Sequence, residues 1–127
     1  MQYEKAIDFH QEALVISREI GNRGGEGGAL GNLAITQIKL CQYSEAQGNL
    51  HTTLVIFREI GDRAGEAEAL KYLAEINQAL GGVEMARQYC QQALALATEL
   101  DIPLAAECEA LQLKIENEKL KIEETQA

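Results

Sequence analysis

The sequence repeats itself at an offset of 40 residues. Tyr3, Ala6 and Leu14-Val15-Ile16 stand over Tyr43, Ala46 and Leu54-Val55-Ile56, and Arg18-Glu19-Ile20-Gly21-Asn22-Arg23 stands over Arg58-Glu59-Ile60-Gly61-Asp62-Arg63. Of the 38 positions from 3 to 40, 17 are identical in the next copy, too many for chance. A third copy is fainter: Ala86, Ala93, Leu94, Glu99 and Leu100 repeat Ala6, Ala13, Leu14, Glu19 and Ile20. Its loop changes to Leu100-Asp101-Ile102-Pro103, and the Glu68 to Leu70 signature returns one residue late at Glu109 to Leu111. A unit this short cannot bury both its faces alone, so the chain is restricted to stacked neighbours sharing a continuous core.

Each unit reads as two helices. Between 44 and 60, Ala46, Leu50, Thr53, Leu54, Phe57 and Ile60 recur at spacings of three and four, which is one buried helical stripe. Between 64 and 80 the stripe is Leu70, Leu73, Ala74, Asn77 and Leu80. Ser44 with Gln47 has the form of a capping box, and Asp62 that of an N-cap. Gly21 and Gly61 are placed to take the left-handed conformation that ends a helix. Short loops make successive helices antiparallel neighbours.

The pattern predicts helices near 3–20, 24–41, 44–60, 64–80, 83–100 and 103–124, with no strand. The fold class is all-α, an α-α superhelix of about six helices in antiparallel hairpins. One domain is expected over 1–127: an unpaired outer helix at 3–20, repeats at 24–60 and 64–100, and a C-terminal capping helix at 103–124. Aromatic residues at 5 %, one Pro and no Trp agree with helices better than with a β-sandwich.

A net charge of −9, from 20 acidic and 11 basic residues, sets the chain against nucleic acid and anionic membranes and favours a basic or neutral protein partner. No run of 18 apolar residues exists, and residues 1 to 20 lack the plan of a signal peptide, so a cytoplasmic location is expected. Cys41, Cys90 and Cys108 are odd in number and far apart, which predicts reduced, mostly buried thiols.

The stretch Ala29-Leu30-Gly31-Asn32-Leu33-Ala34, followed by Leu40-Cys41-Gln42-Tyr43-Ser44-Glu45-Ala46 and by Leu54 to Arg63, resembles the long-period tetratricopeptide repeats of kinesin light chains and bacterial multi-repeat proteins. The resemblance covers residues 3 to about 111. It sets Leu30, Leu33 and Ala34 at the large, leucine and small positions of a first helix, and Ala46 and Leu50 at the alanine and aromatic positions of a second. It implies a right-handed stack whose inner wall is lined by first helices and binds peptides.

On that wall, the face beside the buried stripe of 24–41 carries Gly28, Gly31, Asn32, Ile35, Ile38 and Lys39. The next unit carries Glu68, Lys71, Tyr72, Glu75, Gln78 and Ala79 there. These positions differ between copies while the core positions match, as expected when one set packs and the other meets a nonrepeating ligand. Asn32, Ile35, Lys39, Lys71, Tyr72, Glu75 and Gln78 are the expected peptide-binding residues: an amide that donates and accepts, a lysine for a carboxylate, and an aromatic face with a polar tip.

No catalytic, metal or cofactor chemistry is expected. The glycines from Gly21 to Gly31 are not followed by Gly-Lys-Ser/Thr or preceded by a strand, so they do not form a phosphate loop. His10 and His51 have no further ligands at metal spacing, and the glutamates sit on solvated faces, so the chain reads as a non-enzyme.

The helix at 3–20 begins with no inner partner and carries Tyr3, Ile7, Phe9 and Leu14, which predicts an apolar open edge. Either a longer array continues there or a second copy pairs through residues 3–20 as a homodimer. Residues 112 to 127 alternate in charge and suit a solvating cap, with Leu113, Leu120 and Ile122 as an alternative docking row. Besides a peptide-binding adaptor, two functions fit: a self-assembly or spacer module, and a sensor segment of a larger signalling protein.

Overall fold

A computed structural model describes residues 1–126. Six helices follow one another: α1 (Gln2–Glu19), α2 (Arg23–Lys39), α3 (Tyr43–Ile60), α4 (Arg63–Ala79), α5 (Val83–Leu100) and α6 (Leu104–Gln126). The described residues contain no strand. Each helix packs on the next. In addition α2 touches α4 and α4 touches α6, whereas among the described residues no such close backbone approach joins α1 to α3 or α3 to α5, the last two meeting through the rings of His51 and Tyr89, edge-on with centroids 6.3 Å apart. The even-numbered helices therefore form the inner row of a curved stack and the odd-numbered ones the outer row.

The turns reveal a half-period. Gly21, Cys41, Gly61, Gly81 and Asp101 all have positive φ, at 72°, 59°, 76°, 82° and 54°. One residue later, the amides of Asn22, Gln42, Asp62, Gly82 and Ile102 donate to the carbonyls of Ser17, Gln37, Phe57, Asn77 and Ala97, at 2.7 to 3.2 Å. That bond, with the left-handed residue, is the Schellman closure of a helix C-terminus. The sequence repeats every 40 residues, but the backbone repeats every 20.

This closure moves several expected boundaries by a residue or two, because the chain is already turning at Leu40 and Leu80. Asp62 caps α4 as expected, its side-chain oxygen accepting from the Gly65 amide over 2.9 Å, and Asn22 caps α2 in the same way through Gly25, also over 2.9 Å. The capping box expected at Ser44 is not formed. Gln42 is the N-cap of α3 and makes no side-chain cap bond, and Ser44 lies inside the helix, away from the cap position.

Leu30, Leu33, Leu70 and Leu73 are buried, at 3, 5, 2 and 0 % exposure. Of the other expected stripe residues, Phe57 and Asn77 are half-buried, and Ile60 and Leu80 lie at the outlets of their helices and are 45 and 56 % exposed. Ile56 fills the core in their place. Of the apolar residues expected to be open on α1, Tyr3 and Phe9 are exposed, while Leu14 is buried under α2 and Ile7 is half-buried. Cys90 and Cys108 are buried and Cys41 is exposed.

Ion pairs repeat with the sequence. Arg18 reaches Glu26 at 3.3 Å and Arg58 reaches Glu66 at 3.0 Å. Arg23 of α2 pairs with Glu59 of α3, and Arg63 of α4 pairs with Glu99 of α5 at 3.0 Å. Position 98 is Thr and position 106 is Ala, so the third unit loses both members of the first pair together. All these pairs lie at the surface, where they hold register more than they add stability.

Candidate functional site

A cleft of about 140 Å³ opens between α2 and α4. One wall is Gly27, Gly28, Gly31, Asn32 and Ile35 of α2, and the other is Gly65, Glu68, Ala69 and Tyr72 of α4. Leu50, Thr53 and Phe57 of α3 form the floor. Since α3 lies behind the two inner helices, the mouth faces the concave side.

Glycine keeps the cleft open. A Cβ on Gly28 would meet nothing within 4 Å, and one on Gly31 would meet only Thr53, at 3.6 Å. The missing side chains leave a groove bordered by bare backbone. The floor is fixed by polar bonds: the Thr53 hydroxyl donates to the carbonyl of Asn49 at 2.9 Å and lies 3.4 Å from that of Gly27. Gln37 below is held by the Asn49 amide, which donates to its oxygen at 2.9 Å.

Three of the seven expected residues, Asn32, Ile35 and Tyr72, are brought together at this cleft. Glu75 and Gln78 line a separate, more open hollow between α4 and α6, with Ala79, Leu111, Lys114 and Glu118. Lys39 is exposed at the last turn of α2 and borders neither.

Lys71 is turned inward. It is 9 % exposed, its ammonium 3.2 Å from Glu75 and 3.4 Å from Glu107 of α6, and 4.7 Å above the Tyr72 ring. Burial is the largest influence on its pKa and lowers it, but Glu75, Tyr72 and Glu107 together outweigh it and the ammonium titrates above its ordinary 10.5. Burial raises the Tyr72 phenol above its ordinary value. Both groups are thus held in their neutral-pH forms, the lysine charged and the phenol protonated. Lys71 braces α4 to α6 and presents Tyr72 to the cleft through a cation–π contact.

The expected residues lie on the walls of the cleft and leave out its floor. Periodicity places Phe57 in the core stripe, whereas in the structure it is half-buried and lines the cleft. A signal existed: glycine at 27 and 65 on the two helices flanking the only aromatic of the three equivalent positions, Ser17, Phe57 and Ala97.

Among the described residues no three His, Cys, Asp or Glu side chains converge as a metal site. Among the described residues no helix is long and apolar enough to cross a membrane.

Residues 27–99 match the family described as tetratricopeptide repeat. Among solved structures, the chain is similar to aspartyl phosphate phosphatase F from Bacillus subtilis, with a TM-score of 0.81 and 22 % identity over 87 % of this chain and 29 % of that one. It is also similar to the nearly identical TPR-like repeats named for a putative kinesin light chain of Podosopora anserina, with a TM-score of 0.80 and 16 % identity over 97 % of this chain and 62 % of that one. A variant of the latter gives a TM-score of 0.77 and 16 % identity over 90 % of this chain and 57 % of that one. At these identities the likeness is one of fold, and the chain spans only part of each of those proteins. No curated protein matches the chain significantly.

Proposed function

The chain belongs to the tetratricopeptide repeat family, whose arrays generally serve as non-catalytic scaffolds for protein interaction, and we propose that this member takes an extended segment of a partner protein into the cleft between α2 and α4. The observation that carries the proposal is the glycine wall. Gly28 and Gly31 leave the α2 backbone accessible opposite Tyr72, so a peptide main chain fits between bare backbone and an aromatic face. Asn32 offers an amide to that main chain, and Ile35 and Phe57 offer apolar surface to one side chain.

Glu68 at the rim and the net charge of −9 favour a segment with a basic residue flanking an apolar one. Glu75 and Gln78 would meet the segment where it passes on toward α6. Residues 1–127 act as one domain in this proposal, with 24–60 and 64–100 as its units. The free, exposed Cys41 suits a reducing compartment such as the cytosol.

The test is selection of phage-displayed random peptides on the full chain. Recovered peptides should carry a basic residue beside an apolar one, and should lose about tenfold or more in affinity on Tyr72→Ala or Gly28→Leu. Val55→Ala, on the exposed outer face of α3, should leave them unchanged. Peptides that ignore both cleft variants would place binding elsewhere.

A second function, self-association through α1, draws on the exposure of Phe9, Ile16 and Ile20.

A further inference from the structure

The two walls of the cleft are copies of one helix that have diverged where they border it. By the 40-residue offset, Glu68 of α4 stands where α2 has Gly28, and Tyr72 stands where α2 has Asn32. On α6, where the repeat returns one residue late, the same positions are Glu109 and Leu113. A carboxylate one helical turn ahead of an aromatic ring thus occurs at these positions on α4 alone among the three inner helices. Packing does not ask for the change, since the buried Leu30 and Leu33 of α2 recur as the buried Leu70 and Leu73 of α4.

Glu68 is the ionised side chain among those bordering the cleft, and it has been left without a counter-ion. Lys71, three residues on, stands at the spacing of a helical ion pair with it, but the lysine ammonium is taken by Glu75 at 3.2 Å and Glu107 at 3.4 Å. Among the described residues no ion pair or side-chain hydrogen bond includes Glu68, and neither the Asn32 side chain nor the Tyr72 hydroxyl bonds to a protein group. Three polar groups at the mouth are therefore open to a ligand. Behind them the lining is bare backbone at Gly28 and Gly31 and apolar surface at Ile35 and Phe57. The volume, about 140 Å³, lies below the roughly 300 Å³ at which small-molecule sites begin, and suits one side chain.

We propose that the cleft reads a single arginine of the partner segment, its guanidinium laid against the Tyr72 ring and hydrogen-bonded to the Glu68 carboxylate, with the Asn32 side-chain oxygen accepting a further N–H. The inference rests on the peptide-binding reading of this cleft and adds to it the residue that is recognised and the side chains that recognise it. Shape and hydration separate arginine from lysine. A guanidinium is flat, so it fits between a glycine wall and an aromatic ring, and its donors form a fork that meets one carboxylate in two bonds. An ammonium is compact and more strongly hydrated, and gives up more on entering a cleft lined by Ile35 and Phe57. An acidic side chain would meet Glu68 and the net charge of −9, so the same carboxylate selects against it.

The probe is the capped peptide acetyl-Gly-Leu-Arg-Gly-amide, titrated into the isotope-labelled full chain by NMR with the amides of Gly28 and Gly31 as reporters. Those amides should shift, and binding should weaken about tenfold or more when lysine replaces the arginine, which keeps the charge and loses the plane. Citrulline, which keeps the plane and loses the charge, should weaken it as much. Glu68→Gln changes an exposed side chain without a partner, so the fold is kept, and the arginine and citrulline peptides should then bind alike. Glu109→Gln, at the matching position of α6, should leave the preference for arginine as it was. Should Gly28 and Gly31 shift with equal affinity for arginine, lysine and citrulline, the arginine is wrong while the cleft stands as a peptide site. Should none of the peptides move them, the inference and the reading beneath it fall together.

Discussion

The Phe57 ring occupies the space that a side chain on Gly65 would need: a Cβ there would lie 2.6 Å from ring atom Cδ2. Gly27 on the opposite helix is nearly as close, its Cβ position 2.9 Å from the ring edge. The equivalent residues elsewhere are smaller, Ser17 and Ala97, and Ala67 stands where Gly27 would recur. Volume has been exchanged between an aromatic and two glycines. The result is a ring wedged between α2 and α4 at the floor of the cleft.

Alanine substitution should therefore divide the helical glycines by sign. Gly65→Ala and Gly27→Ala should destabilise the fold by about 1 to 3 kcal/mol, since the ring has packed backbone on both sides. Gly28→Ala and Gly48→Ala, which meet nothing within 4 Å, should stabilise it by roughly 0.5 to 1 kcal/mol. Urea denaturation of the four variants checks the split. Equal effects in all four would contradict the wedge.

The left-handed turns give a second prediction. Cys41 holds φ 59° where the next unit has Gly81 at 82°, a conformation that costs a residue with a Cβ about 1 kcal/mol. Cys41→Gly should raise stability by about that amount, and Gly81→Ala should lower it by about as much. The same urea measurement decides it.

Charge reversal at Lys71 should unfold more than it unbinds. Its ammonium is enclosed between Glu75 and Glu107, so Lys71→Glu gathers three carboxylates at the α4–α6 contact. A loss of about 2 to 4 kcal/mol is expected, with Lys71→Met costing much less. Thermal unfolding of both variants separates a brace from a ligand contact; unchanged stability in Lys71→Glu would return the lysine to the binding surface.

Stability should fall on the alkaline side. Burial pushes the Cys108 thiol from 9.0 up to about 11, and raises that of Cys90 as well. The folded chain thus holds these protons more tightly than the unfolded one, and the stabilisation is complete below pH 9 and lost as pH rises toward 11. Cys108 alone accounts for about 2 to 3 kcal/mol of that loss. Lys71, with its pKa raised above 10.5, acts in the same direction at higher pH. Urea midpoints on either side of the ordinary thiol value should differ, and Cys108→Ala should shrink the difference; a flat profile would place the thiols in contact with water.

The repeat, the helix count, the stacking and the buried leucines were all legible in the amino-acid order. Each follows from local periodicity, since residues three and four apart share a helix face and a copied face meets a copied neighbour. The cap at Asp62 and the left-handed Gly21 and Gly61 could be read for the same reason: their bonds span only a few residues. What lies between helices had to come from their packing in three dimensions. Periodicity places Lys71 beside Tyr72, but only the curvature that brings Glu107 of α6 alongside α4 turns the lysine inward and leaves the tyrosine at the cleft. Likewise it takes two helices closing on one ring to make Phe57 a floor. A face can be read from one helix, whereas a cleft depends on the angle and distance between three.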